Sequence, residues 1–194
     1  MRLQLAILED RHLRLEPLAD VHAPDLRAAC AADRTIWYEL YPTCWLGEGF
    51  DANWRALVQQ NAEGAAQSFA VVVGGRCVGM TSFLGPDAVN GSVEIGATYY
   101  RPEVRGGAVN PAAKRLLLAN AFERGARRVQ FKVDAINARS RAAVTKLGAV
   151  QEGVLRQDRV TWTGRVRDTV YFSILSAEWP GVRARLDARL AAYP

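Results

Sequence analysis

The sequence predicts an α+β protein: a mixed, mostly antiparallel sheet with helices on both faces and one parallel strand pair at its centre. Three observations predict it. The run SFAVVV, the pair Gly74-Gly75 and the run RCVGMTSF form a hairpin, because two glycines between apolar, β-prone runs supply the positive φ angles of a tight turn. Further on, SVEIGATYY and RVQFKVD bracket a helical stretch from 111 to 124, and a helical crossover of that length joins parallel neighbours. A last hairpin, turned at Thr163-Gly164, returns the chain to antiparallel pairing.

In chain order, HLRLEPL (12–18) alternates as a short strand. Asp20 can cap a following helix whose first turn tolerates Pro24. Residues 36–50, IWYELYPTCWLGEGF, are dense in aromatics and broken by Pro42, Gly47 and Gly49, which predicts an irregular segment. Asp51 opens an amphipathic helix with Trp54, Leu57, Val58 and Asn61 on one side and Gly64 as its stop. After the glycine hairpin, Asn90-Gly91 turns the chain into SVEIGATYY. The helix from Pro111 to Arg124 pairs Leu117 with Ala121 and Leu118 with Phe122 at i,i+4, and Asn110 is its expected cap. RVQFKVD (128–134) is a strand. NARSRAAVTKLG (137–148) is a helix capped by Asn137 and stopped by Gly148, with Ser140, Val144 and Leu147 on one face. The final hairpin runs from VTW (160–162) to RVRDTVYFSIL, and EWPGVRARLDARL is a C-terminal amphipathic helix.

With 194 residues, 49% of them hydrophobic, and five tryptophans, the chain has material for one well-buried core, so one domain over 1–194 is expected. The net charge of +5 comes from 25 Lys/Arg mixed along the chain with 20 Asp/Glu. No run of like charges marks a nucleic-acid arm, and a nucleic-acid reading rests on the basic excess alone. The apolar stretch in MRLQLAILED is far shorter than a signal peptide needs, and nothing approaches the roughly 20 residues of a membrane span. Cys30, Cys44 and Cys77 are odd in number and lack any CxxC spacing, which points to free thiols in a reducing cytoplasm. The two histidines, His12 and His22, both fall in the first 22 residues, which argues against a His-based zinc site and a Ser-His-Asp triad. No metal is expected.

The chemistry concentrates in EIGATYYRPEVRGGAVNPAAKRLLL (94–118), where a strand passes to a helix through Gly106-Gly107, flanked by Arg101 and Arg105. Glycines there remove the side chains that would keep a ligand from the backbone, and the following helix aims unpaired N–H groups and a positive dipole end at the same place. That describes an anion site, although the glycines alone fit an ordinary turn equally well. A dinucleotide fingerprint fails because the spacing gives Gly106, Ala108 and Pro111, and a nucleotide P-loop fails for want of Gly-Lys-Ser/Thr.

The chain resembles the GCN5-related N-acetyltransferases (GNAT), in the branch similar to ribosomal-protein N-terminal acetyltransferases of the RimJ/RimL type. The resemblance runs through RHLRLEPLADVH, VEIGATYYRPEVRGGAVNPAAKRLLLANAFE, VQFKVDAINARSRAAVTKLGAVQEGVLR, GRVRDTVYFSIL and EWPGV. Gly106, Gly107 and Ala108 fill the last three places of the family's Gln/Arg-x-x-Gly-x-Gly/Ala motif, while the first place holds Glu103, with Arg105 two residues on. The resemblance implies the GNAT fold, with its parallel pair splayed at an acetyl-CoA site. The pyrophosphate would meet the N–H groups of Gly106, Gly107, Ala108 and Val109, and the pantetheine would run beside Ala97, Thr98 and Tyr99. It implies cofactor contacts for Asn137 and Ser140, and phosphate neutralisation by Arg105 and Lys146 together with Arg139. For Lys146 and Arg139, a solvated helix face is the alternative.

Acetyl transfer to an amine of pKa about 8 needs a group that accepts its proton. Glu94 is the candidate base, since alternation sets it opposite Val93 and Ile95 and its place matches an acid found in the family; the alternative is a surface strand glutamate. Ser140 is the candidate proton donor to the leaving thiolate, where many relatives have tyrosine; the alternative is a plain helix-start residue. Asp134 can orient an amine or simply form a strand-end turn. Trp37 and Tyr38, with Tyr41 and Trp45, can wall an acceptor pocket or pack in the core. The expected function is acetyl-CoA-dependent N-acetylation of a protein N-terminus or a small-molecule amine in a ternary complex. A non-catalytic CoA-binding sensor is the alternative. No nucleic acid or membrane partner is expected, and the C-terminal hairpin and helix offer a surface for a homodimer.

Overall fold

In the central strands both faces are apolar, so helices must cover the sheet twice. The computed structural model describes residues 1–3 and 5–194. Among them, strands β1 (Leu8–Glu9), β2 (Arg14–Pro17), β3 (Ala66–Val73), β4 (Arg76–Asp87), β5 (Ser92–Tyr100), β6 (Arg128–Asp134), β7 (Val150–Val160) and β8 (Val166–Leu175) form one sheet. Its order is β1-β2-β3-β4-β5-β6-β8-β7, antiparallel throughout except between β5 and β6. Helices α1 (Ala23–Ala31), α2 (Thr35–Glu39) and α3 (Glu48–Ala62) precede the hairpin; α4 (Val109–Glu123) is the crossover, followed by α5 (Ala138–Leu147) and α6 (Trp179–Ala191).

Alternation along β3 feeds two clusters. Phe69 and Val71 pack with Leu117, Leu118 and Phe131 and with Val182 and Leu186 of α6. Ala70 and Val72 pack with Leu26 of α1, Trp37 of α2, and Phe50 and Leu57 of α3. The mixed sheet, the parallel pair and helices on both faces agree with expectation. Gly74 and Gly75 take φ of 57° and 78° and close the β3–β4 turn as their sequence requires.

Four local expectations need correction. Residues 36–50 are not irregular throughout: α2 buries Ile36 and Trp37, and α3 starts at Glu48, because Gly47 at φ 52° sets the entry and leaves Asp51 inside the helix, paired with Arg27. Asp20 lies in a short 3-10 turn, and His22 occupies the cap position of α1. The crossover helix begins at Val109 with Ala108 as N-cap, which puts Asn110 and Pro111 in its first turn. β7 begins ten residues before VTW. It is one of the two edge strands, exposed along nearly its whole length, so no alternation betrays it.

Candidate active site

β5 and β6 pair only over Ser92–Glu94 and Arg128–Gln130, although β5 runs on to Tyr100 and β6 to Asp134. Beyond Glu94 the two strands part. On its other edge β5 bulges at the same place, since the register passes from Met80↔Tyr99 to Ser82↔Gly96 and sets Ala97 and Thr98 against Thr81 alone. Ala97 takes φ 46°, a conformation that costs an L-residue of order 1–2 kcal/mol and is retained where the surroundings enforce it. The parted strands open a cavity of about 770 Å³ whose walls include Glu94, Ala97, Thr98, Gly106, Gly107, Asp134, Asn137, Ser140 and Lys146.

At one end lies the glycine turn. None of the N–H groups of Gly106, Gly107, Ala108, Val109 and Asn110 donates to a protein acceptor among the described residues, which leaves five unpaired donors where the chain enters α4. Gly106 needs glycine for its φ of 82°. Gly107 does not, for its φ is ordinary and an added Cβ would meet nothing within 4 Å. The fold thus gives no reason for glycine at 107, whereas a ligand held against the backbone does. Arg101 is taken up by Glu103, at 3.0 and 2.9 Å. Arg105 donates to Tyr100 O at 2.7 Å and to Asp33 Oδ2 at 2.5 Å, while its Nη2 is buried without a partner. The Tyr100 hydroxyl, in the same cavity wall, is likewise buried and unpartnered. Orphaned donors and an open backbone cradle fit an oxygen-rich anion such as a pyrophosphate.

The helix α5 supplies the opposite wall. Asn137 Oδ1 accepts the Ser140 N–H at 3.0 Å, which fixes the cap and holds Ser140 one turn into the cavity, and Gly148 at φ 95° ends the helix. Arg139 and Lys146 are exposed at the cavity rim. Ala108 and Val109 do not line the cavity; the Val109 side chain is in the core and Ala108 packs against it. Tyr99 is likewise absent from the cavity wall, for its ring is buried and its hydroxyl donates to Ala29 O at 2.6 Å.

Glu94 lies where the strands separate. Its Oε2 is 2.9 Å from Lys132 Nζ, and a Cβ on Gly96 would come within 2.7 Å of its Oε1, so the bare Gly96 leaves room for the carboxylate. Burial pulls the Lys132 ammonium down, but the hydrogen bond and charge of Glu94 outweigh it and the net shift is upward, which keeps the ammonium charged at neutral pH. Asp134, two residues along the same face of β6, is buried and binds Arg165 Nη2 at 2.5 Å.

The aromatic residues divide. Tyr41 and Trp45 line the cavity, and Tyr41 OH donates to Thr98 O at 2.7 Å. Trp37 stands behind them, fully buried, with Nε1 on Cys30 O at 2.9 Å. Tyr38 faces outward against Trp162, ring centroids 4.8 Å apart. Neither Trp37 nor Tyr38 is brought to the cavity wall. Among the described residues no cluster of His, Cys, Asp and Glu has the make-up of a metal site.

Sequence reading missed Lys114. It is 5% exposed, lines the cavity, and donates to Thr98 Oγ1 at 2.7 Å and Thr81 Oγ1 at 3.3 Å. Its spacing from Leu117 and Leu118 (i+3, i+4) puts it on the apolar stripe of α4, a signal visible in the sequence. Burial alone pushes its ammonium down from 10.5 to about 7. The unfolded chain therefore keeps this proton up to about 10.5 while the folded chain releases it near 7, so this group's contribution to stability rises with pH across that window and is flat below it. Lys114→Met is expected to melt roughly 5 °C or more above the wild type at neutral pH and to lose this slope. Thermal denaturation followed across the window checks it, and an unchanged profile would contradict the assignment.

One cavity thus brings together a glycine turn with unpaired N–H groups, a bulged strand, a carboxylate and a hydroxyl, an arrangement suited to group transfer from an anionic carrier. A family model described as an acetyltransferase (GNAT) domain matches residues 12–150. A Bacillus subtilis (strain 168) protein that carries the provisional name ribosomal N-acetyltransferase YdaF is 36% identical over 108 residues, 55% of this chain and 58% of that protein, so the chain aligns with little more than half of this curated relative's length. Among solved structures, one from T. thermophilus, provisionally named an acetyltransferase, is 38% identical with a TM-score of 0.88 and covers 98% of this chain and 100% of that one. Mycobacterium smegmatis RimJ, solved in complex with CoA-disulfide, has 20% identity and a TM-score of 0.83 over 95% of each chain, a likeness of fold.

Proposed function

Because the chain belongs to the GNAT acetyltransferase family, we propose that it transfers an acetyl group from acetyl-CoA to a primary amine by direct attack within a ternary complex. The observation that carries the cofactor assignment is the glycine turn, with five free N–H groups and a Gly107 that nothing in the fold requires. The CoA complex of the RimJ structure supports the same ligand class. Acetyl-CoA supplies an acyl group already activated as a thioester. The chain's own residues do the rest: Gly106 to Asn110 hold the pyrophosphate, and the freed β5 edge at Ala97 to Tyr99 aligns the pantetheine. Asn137 fixes Ser140, whose Oγ hands a proton to the departing thiolate. Glu94 takes the proton of the attacking amine, directly or through a water.

The name of the Bacillus relative, a ribosomal N-acetyltransferase, favours a protein amine as acceptor over a small molecule. The test is release of free CoA thiol, with mass measurement of product, over a panel of N-terminal peptides and small primary amines. Acetylated product with at least one class is the expected result, and thiol release independent of any amine contradicts the proposal. Gly96→Ala probes the base. The new Cβ would crowd Glu94 Oε1 and Leu84 Cδ1, both side-chain ends that can yield, so the fold persists while the carboxylate shifts. Turnover is expected to fall roughly 10- to 100-fold with CoA affinity unchanged.

A further inference from the structure

Arg167 is 6% exposed, and its guanidinium makes no hydrogen bond among the described residues; Nε is buried without a partner. Its nearest anion is Asp134 Oδ2 at 3.8 Å, an oxygen that Arg165 already holds at 2.5 Å. Asp134 also accepts the Ile136 N–H at 3.2 Å. The other carboxylate near Arg167, Asp158, receives Thr169 Oγ1 at 2.7 Å and faces Arg159 Nε at 3.4 Å. Three arginines, Arg159, Arg165 and Arg167, thus share two carboxylates. A buried guanidinium with no acceptor of its own is costly unless a ligand completes it.

Arg167 and Arg159 both line the cavity that holds Glu94, and they face each other across β7 and β8. Lys132, which pairs with Glu94, and Asp134, beside Arg167, lie on one face of β6 two residues apart, about 7 Å along the strand. On the acetyltransferase reading above, we infer that Arg167 is the centre of a subsite for a carboxylate of the acceptor, roughly two residues' length from the reactive amine. A planar guanidinium takes a carboxylate in two parallel hydrogen bonds, and the surplus cation beside Asp134 is then neutralised. Two sources of that carboxylate fit: the C-terminus of a very short peptide, and an acidic side chain next to a protein's N-terminal residue.

The test compares matched amines by calorimetry, with and without CoA, so that no turnover is needed. One pair is glycylglycine against glycylglycinamide; the other is an N-terminal peptide with aspartate in second place against the same peptide with asparagine. At least one acidic member is expected to bind about tenfold or more tightly than its neutral twin, and the pair that shows it identifies the source. Arg167→Gln should erase the difference and leave CoA affinity unchanged, and Arg167→Lys should recover only part of it. Equal binding within both pairs by the wild type, or a preference that survives Arg167→Gln, overturns the subsite. A charge preference in a protein that does not bind CoA would instead overturn the cofactor reading and leave the subsite standing.

Discussion

CoA binding is expected to weaken at least about a hundredfold in Gly107→Asp, while the melting temperature stays close to that of the wild type. The second half makes the first informative. Residue 107 has an ordinary φ, and its Cβ position is empty to 4 Å, so an aspartate enters without backbone strain or overlap. The carboxylate then stands among the N–H groups of residues 106 to 110, where the pyrophosphate would lie. Setting like charges together costs several kcal/mol, and each 1.4 kcal/mol is a factor of ten in affinity. Titration of the variant beside its thermal unfolding checks both halves. Unchanged affinity would place the pyrophosphate elsewhere.

Glu94→Gln is expected to lower turnover by about 10²–10⁴ with CoA affinity kept, the range a positioned general base contributes. Glutamine keeps the shape and can still accept a hydrogen bond from Lys132 Nζ, now 2.9 Å from the carboxylate, but it cannot take up the proton of an attacking amine. Steady-state kinetics with calorimetric CoA binding separates the two quantities. Turnover within a few-fold of the wild type would remove Glu94 from the mechanism. Loss of CoA affinity in parallel would make it a binding residue.

The features legible in the sequence are those that local chemistry determines. Gly74-Gly75 and Gly148 require positive φ, Asn137 caps the helix that starts at Ala138, and a helix between two apolar runs makes a parallel pair whatever surrounds it. Residues that local pattern singles out, Gly106 and Gly107 of the turn with Glu94, Asp134 and Ser140, all border one cavity. The parts that escaped depend on partners distant in sequence. Lys132 reaches Glu94 as the diagonal neighbour of its register partner Gln130, and Arg167 on β8 meets Asp134 on β6 as the diagonal neighbour of its register partner Thr169, which no spacing within the chain reveals. Trp37 and Tyr38 are adjacent in an aromatic run, yet the short helix α2 turns one into the core and the other to solvent. β7 hid because an outer strand open to water on both faces carries no hydrophobic period.

On the proposed function, the turn at Gly106-Gly107 and the parted strands β5 and β6 form an acetyl-CoA site. Calorimetric titration of the wild-type protein with acetyl-CoA and with CoA tests it most directly. One-to-one binding of both in the micromolar range is the predicted result. No detectable binding of either would contradict the transferase and the CoA-sensor readings together.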